Sequence, residues 1–303
     1  MEQQGAAPPT TLRRIRDFIT DGVKLDVVTP PACVFHDNTP TVDANADLVL
    51  RRIREYMDFG AIVELPSGHP LPFGIQPLHV IIKPGKKPRL VIDLSRNLND
   101  GLQYEYFAYS SVRDAVDLSW QDCWYSKLDL SNCFLSFPLH QEALPHFVFR
   151  FQDQLDQFIR LPFGLSSAPR TCTELLSVVA FRLNLEGNTA LVRYLDDFLH
   201  MHGTFVESQA GLTLAQRVLT AFGLVVNPDK TEGPAQQLAF LGVQLDSHAQ
   251  TLACTPARVN ELLSLLRAAA TAKEMRLTEL DSLVGKLQFA AQVLPGSARS
   301  HGA

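Results

Sequence analysis

The chain has 303 residues, 46% of them hydrophobic and 19% charged, with a formal net charge of -5. This apolar content is enough for more than one core, so two or three lobes are expected, and the acidic balance argues mildly against indiscriminate polyanion binding. Clustered active-site carboxylates would themselves pull the total charge down. Cys33, Cys123, Cys133, Cys172 and Cys254 lie far apart with no CxxC pair, which argues against a structural zinc site or a disulfide framework and for buried thiols in a reducing compartment. The start, MEQQGAAPPTTLRRIRDF, has no apolar signal core, and no apolar run is long enough to span a bilayer. An intracellular chain, cytoplasmic or nuclear and not secreted, is expected.

Residues 1–46 are rich in Pro, Thr and Asp and read as an extended arm with one short amphipathic piece, LRRIRDFI. ADLVLRRIREYMDFGAIVEL has helical spacing with Gly60 as a stop before a short strand. LHVIIKPGKKPRLVIDLS reads as two strands, Leu78 to Ile82 and Arg89 to Leu94, around a turn with Pro84 and Gly85. Lys83, Lys86, Lys87 and Arg89 stand at its tip. WYSKLDLSNCFLSFPL alternates into a buried strand and then breaks. SSAPRTCTELLSVVAFRL reads as a helix with a Ser cap and Pro169 in its first turn. LVRYLDDFLHMHG places Asp196 and Asp197 between two apolar runs, and LTLAQRVLTAFGL is a second helix stopped by Gly223. LAFLGVQLDSHAQTLACT reads as two short strands around a polar turn. Two helices close the chain, TPARVNELLSLLRAAA and LTELDSLVGKLQFAAQVL, the latter opened by Thr278 with Asp281 in a near capping-box pattern.

A paired Asp taken alone marks either a solvated hairpin tip or a metal site, because two close carboxylates repel unless a divalent cation neutralises them. Asp129, in SKLDLSNCF, ends a strand pattern and alone reads equally as a turn-former. The order of elements carries more: basic hairpin, Asp129, LPFGLSSAPR, YLDD, GLVVNPDK, FLG.

That order resembles reverse transcriptases, from about Asp47 to about Pro295. YLDD resembles the family's second catalytic motif and KLDLSNCF its first. LPFGLSSAPR looks like the form in long-terminal-repeat-type elements, where retroviral enzymes carry Gln at the Phe163 position. The wording PFGLSSAPR, YLDDFL and LVGKLQFAAQVLPG is similar above all to DIRS-like retrotransposons, which mobilise with a tyrosine recombinase.

The resemblance implies an α+β right-hand polymerase: an arm over 1–46, fingers over 47–121 and about 140–160, an antiparallel palm sheet backed by helices within 122–243, and a helical thumb over 244–303. It implies an RNA-directed DNA polymerase taking a template with primer and dNTPs, with two Mg²⁺ ions, or Mn²⁺, roughly 4 Å apart. Asp129 and Asp196 are the expected ligands of both ions, the Leu130 carbonyl contributes to the second, and Asp197 is essential but less directly bound. Lys83 and Arg89 are expected on the triphosphate, with Arg able to form paired hydrogen bonds, and Lys86 and Lys87 are read as solvated tip. Phe163 and Gly164 are expected at the nucleotide, and Phe134 under its sugar as a steric gate. Lys230 matches the lysine proposed to protonate the pyrophosphate leaving group, with a plain surface lysine equally weighted. Phe240, Leu241 and Gly242 match a primer-positioning hairpin, or ordinary core. The nine histidines, His200 and His202 included, receive no catalytic role.

The sequence departs from the family in two places: the lysine-to-arginine interval of the basic hairpin is one residue shorter, and Ser95 stands where Arg is common, with Arg96 next to it. The chain stops at PGSARSHGA, before the ribonuclease H region that usually follows, so a polyprotein fragment or a decayed freestanding copy is expected. The alternatives to a polymerase are a catalytically inactive or domesticated nucleic-acid-binding copy and, less well matched, a metal-dependent nuclease.

Overall fold

Helical periodicity in the first twenty residues proves stronger than the Pro- and Thr-rich composition around it. The computed structural model describes residues 9–83, 85, 87–291 and 293; Pro84 of the expected turn, Lys86 of the basic tip, the first eight residues of the arm and the PGSARSHGA end lie outside the described residues. The expected extended arm is instead helical in part: α1 (Pro9–Asp21) buries Ile15 and Phe18, and Val23 follows them into the core. It is also tied down by charge. Arg14 pairs with Glu105 at 3.0 Å and with Glu174, and the buried Arg170 of the SSAPR stretch pairs with Asp26 at 3.0 Å and with Glu105.

After β1 (Val34–Phe35) and α2 (Pro40–Asp43) comes α3 (Ala46–Asp58), whose Val49, Ile53 and Tyr56 fall on one face and are buried, as their spacing predicts. It stops before Gly60, at φ 72°. Then follow β2 (Ile62–Glu64), β3 (Gly74–Ile75) and the antiparallel pair β4 (Leu78–Ile81) and β5 (Arg89–Ile92). α4 (Val112–Leu118) opens with a capping box between Ser111 and Asp114. The order continues with β6 (Trp124–Ser131), β7 (Val148–Phe151), β8 (Gln154–Phe158), α5 (Ala168–Leu185), β9 (Leu191–Tyr194), β10 (Asp197–His202), α6 (Phe205–Ala221), β11 (Val225–Val226) and β12 (Glu232–Ala235).

The region expected as two strands holds three, β13 (Gln237–Phe240), β14 (Val243–Asp246) and β15 (Thr251–Cys254). Leu241 and Gly242 make a tight turn of their own, where strand periodicity predicts a continuous strand and the family resemblance a hairpin. α7 (Pro256–Thr271) and α8 (Leu277–Ala291) close the described chain. Thr278 lies inside α8; the end is capped by Glu279, whose carboxylate accepts from the Arg276 N–H at 3.1 Å. Among the described residues no helix is long and apolar enough to cross a membrane.

The chain divides into two compact units. The first comprises the chain through Tyr109, Leu130–Phe181 and Leu219–Val225. It holds the sheet β2-β8-β7 and the β4–β5 hairpin over a core that includes Leu78, Leu90, Ile92, Phe147, Phe149 and Phe158. The second comprises Ser110–Asp129, Arg182–Val218 and the chain from Val226 on. Its main sheet runs β11-β6-β10-β9 with β12 also on β6, and Tyr125, Val192, Leu199 and Met201 share a core with Phe240 and Leu245.

Candidate active site

The position of the acidic pair follows from the burial of β10. Phe198, Leu199, His200 and Met201 are all buried, with Leu199 and Met201 in the apolar core beside Tyr125 and Val192, so a slip of one residue would turn the polar His200 into that core, and this specifies the register. That register sets Asp197 directly opposite Asp129 on the antiparallel β6, and opposite Tyr194 on β9. Leu195 and Asp196 form the two-residue turn between β9 and β10. Leu195 adopts φ 51°, a conformation that two-residue hairpins demand and that a non-glycine side chain resists by about 1–3 kcal/mol.

Asp129 is 6% exposed. Lys230 Nζ donates to both of its carboxylate oxygens at 2.9 Å. The NPDK turn delivers that lysine: the Asn227 main-chain N–H donates to the Asp129 carbonyl at 2.8 Å, its Nδ2 donates to Asp129 Oδ1 at 3.4 Å, and its Oδ1 accepts from the Asp229 N–H at 3.1 Å. Burial, with the charges of Asp196 and Asp129 added, pushes the Asp197 carboxyl up to about 6, while Lys127 and Lys230 pull the other way. Lys127 is anchored by Glu232 at 2.7 Å and the Ala239 carbonyl at 3.1 Å. Asn227 and Lys127 were given no role from sequence; the Asn-Pro pair of NPDK was the available signal for the first, as a turn former.

A buried acidic group beside like charges favours a cation. Among the described residues no group of three or more His, Cys, Asp or Glu side chains is placed to hold a metal ion. The facing pair Asp129 and Asp197 fits Mg²⁺, which takes one or two carboxylates and completes its shell with waters and substrate phosphates. His200, three residues beyond Asp197, is fully buried and kept neutral, its pKa driven down to about 3 by burial.

A second set of expected residues meets in the first unit. The Arg89 guanidinium lies 5.5 Å from the Phe163 ring centroid, and that ring meets Phe134 edge-on at 5.3 Å and 73°. Phe134 opens a short 3₁₀ turn and is half-buried. Gly164 adopts φ 113°, and a Cβ there would stand 1.8 Å from the Ile92 carbonyl oxygen. This approach lets the Ile92 N–H donate to the Phe163 carbonyl at 3.0 Å. Asn99, unassigned from sequence, holds the loop from the other side: its Nδ2 donates to the Gly164 carbonyl and its Oδ1 accepts from the Ser166 N–H, both at 2.9 Å. Lys83 and Lys87 are exposed.

In the FLG turn Phe240 is core, at 1% exposure. Leu241 and Gly242 both take positive φ, 49° and 84°, as a two-residue hairpin of this kind requires. A Cβ at Gly242 would meet Arg258 Nε at 1.8 Å. Arg258, overlooked in the sequence, stacks over Phe289 at 4.1 Å and donates to the Leu241 carbonyl at 3.3 Å.

The cysteines divide differently from the expectation of uniformly buried thiols. Cys123, Cys133 and Cys172 are buried, Cys254 is intermediate and Cys33 is exposed.

Comparison with known proteins bears on the family and the fold. A family model described as reverse transcriptase (RNA-dependent DNA polymerase) matches residues 72–245. The chain is 25% identical over 213 residues to an enzymatic polyprotein of Cassava vein mosaic virus, covering 70% of this chain and 31% of that protein. It is 24% identical over 242 residues to the Gag-Pro-Pol polyprotein of Human T-cell leukemia virus 2, covering 76% and 16%. It is 22% identical over 209 residues to the retrovirus-related Pol polyprotein from transposon 297 of Drosophila melanogaster, covering 69% and 19%. The chain thus spans less than a third of the length of these relatives. A foamy viral protease-reverse transcriptase solved with double-stranded DNA superposes with TM-score 0.69 at 20% identity, over 93% of this chain and 45% of that one. The foamy viral enzyme solved with an RNA/DNA hybrid gives TM-score 0.69 at 18% identity, over 88% and 34%. The fold is thereby the α+β right-hand polymerase fold. Because the family match covers more than half of the chain, this protein belongs to the reverse transcriptase (RNA-dependent DNA polymerase) family.

Proposed function

We propose that this chain is an RNA-directed DNA polymerase that extends a primer on a nucleic-acid template by two-metal nucleotidyl transfer. The observation that carries the reading is the register of β6 against β10, which sets Asp129 opposite Asp197 with Asp196 on the adjoining turn. Asp129, Asp196 and Asp197, with the Leu130 carbonyl, are the groups that would hold Mg²⁺. Bound there, the ions would supply charge stabilisation to the attacking and leaving oxygens. Lys230, held on Asp129 by two hydrogen bonds, is assigned the proton for the leaving pyrophosphate. Asn227 and Lys127 keep the acidic cluster oriented and partly neutralised. In the first unit, Lys83 and Arg89 are assigned to the triphosphate of a dNTP, and Phe134, braced by Phe163, to exclusion of a 2′ hydroxyl. Leu241 and Gly242 are assigned to the primer terminus.

Fingers over 47–121 and about 140–160, palm over the remainder of 122–243 and thumb beyond are the domain division we propose, and the wording of PFGLSSAPR and YLDDFL supports a DIRS-like subtype. The second reading is an inactive, nucleic-acid-binding copy. Retention of all three carboxylates favours the enzyme.

Primer extension on an RNA template with Mg²⁺ tests the reading. Wild type should extend, and Asp129→Asn, which keeps shape and removes a charge, should fall to background while still binding template-primer. Equal extension by both overturns the two-metal assignment. Binding without extension in the wild type, with Mg²⁺ and with Mn²⁺, establishes the inactive copy instead.

A further inference from the structure

Cys133 and Cys172, 39 positions apart, bring their sulfurs to 3.2 Å inside the first unit. Both are buried, at 6% and 0% exposure. Two neighbouring buried thiols can serve simply as small apolar groups in weak S–H contact, but this pair stands at a particular place. Cys133 immediately precedes Phe134 and forms the N-terminal end of the 3₁₀ turn Phe134–Ser136. Cys172 sits in the first turns of α5, two residues after Arg170, whose guanidinium is anchored by Asp26 and Glu105. One sulfur therefore belongs to the segment that carries the aromatic gate, and the other to a braced helix.

We propose that Cys133 and Cys172 form a redox modification site, in which a peroxide oxidant joins them in a reversible disulfide and thereby shifts Phe134. The bond needs the sulfurs about 2.05 Å apart, roughly 1 Å closer than they stand. Because the start of α5 is tied by the ion pairs of the buried Arg170 to Asp26 and Glu105, the movement falls on the Cys133 turn. The chemistry balances with one peroxide: the sulfur of Cys133, the less deeply buried residue of the two, attacks one peroxide oxygen and breaks the O–O bond, and the departing hydroxide takes the thiol proton, giving a sulfenic acid and one water. The Cys172 sulfur then displaces the sulfenic hydroxide, which takes the Cys172 thiol proton and leaves as a second water, forming the disulfide, and a dithiol reductant returns both thiols. The consequence for nucleotide insertion rests on the proposed role of Phe134; the disulfide itself does not.

The test treats the full chain with hydrogen peroxide, alkylates the remaining thiols and maps peptides without reduction. A cross-linked peptide containing Cys133 and Cys172, lighter by two hydrogens and released by dithiothreitol, is expected in wild type and in Cys123→Ala. It should be missing from Cys172→Ala and from Cys133→Ala. Oxidised wild type should insert dNTPs less efficiently, by up to about a hundredfold for a displacement of about 1 Å, while peroxide leaves the insertion rate of Cys133→Ala, which lacks the attacking sulfur, at its untreated value. Absence of the cross-link in samples where the exposed Cys33 is oxidised overturns the site. A cross-link with insertion unaltered overturns its coupling to Phe134. The cross-link is read without catalysis, so its failure is distinct from failure of the polymerase reading.

Discussion

Adding one methyl group at Gly164 tests how the PFG loop is held. The new Cβ would stand 1.8 Å from the Ile92 carbonyl oxygen and 3.0 Å from its carbon, both backbone atoms that cannot rotate away, at a residue with φ 113°. Gly164→Ala thus forces either the loop or β5 to move. A backbone conformation essentially reserved for glycine costs about 1–3 kcal/mol for another residue. Loss of the Ile92 N–H bond to the Phe163 carbonyl adds about 1 kcal/mol, so destabilisation on the order of 3 kcal/mol is expected. The assay is equilibrium urea unfolding read by near-ultraviolet circular dichroism, comparing midpoints at constant slope. At a slope of about 2 kcal/mol/M the midpoint should fall by about 1.5 M. Displacement of Phe163 should also loosen its contact with Phe134, so dNTP insertion should weaken in the folded fraction. An unchanged midpoint would refute the claim that this close approach holds the loop.

Phe134→Val should admit ribonucleotides: the ratio of CTP to dCTP insertion opposite a template G should rise with dCTP use largely intact, because steric exclusion disappears with the ring. A uniform loss toward both nucleotides identifies Phe134 as core instead. Asp156 is 2% exposed, and burial, followed by the charge of Glu64, raises its carboxyl from the ordinary 3.8 to about 6. The folded state therefore holds this proton more tightly than the unfolded chain, stability falls as pH rises from about 4 to 6, and above pH 6 the cost is constant, on the order of 3 kcal/mol. Asp156→Asn should raise the urea midpoint at pH 7 and lose that advantage at pH 4; an equal gain at both pH values excludes the charge as its origin. Phe18→Ala, at 5% exposure on α1, should cost about 3–5 kcal/mol, and a thermal midpoint within a degree of wild type would show the arm to be dispensable to the first unit.

Periodicity and turn chemistry made much of this protein legible in one dimension. The spacing of Val49, Ile53 and Tyr56 specifies α3, Gly60 ends it, and the apolar runs around Asp196 and Asp197 specify two strands with a turn between them, because local propensity and burial demand the same structure there. The order of short motifs was enough to suggest the family. Tertiary structure decided what depends on partners distant in the chain. That Asp129 faces Asp197 is a matter of strand register, set by the burial of Phe198 to Met201. That Lys230 reaches Asp129 depends on Asn227 bonding across to β6. The arm was misread because its composition is that of a loop, while Ile15, Phe18 and Arg14 gain their stability from burial and from Glu105 and Glu174, groups some 90 and 160 positions away. The Leu241–Gly242 turn matches a hairpin only through the resemblance of its FLG motif, while strand periodicity runs straight through it: φ values of 49° and 84° belong to hairpin geometry, with Arg258 packed close against Gly242, and no alternation pattern records them. Sequence alone fixes which segments can bury a face and which residues carry charge; the distances at which those charges act on one another arise only once nonlocal packing has set the register.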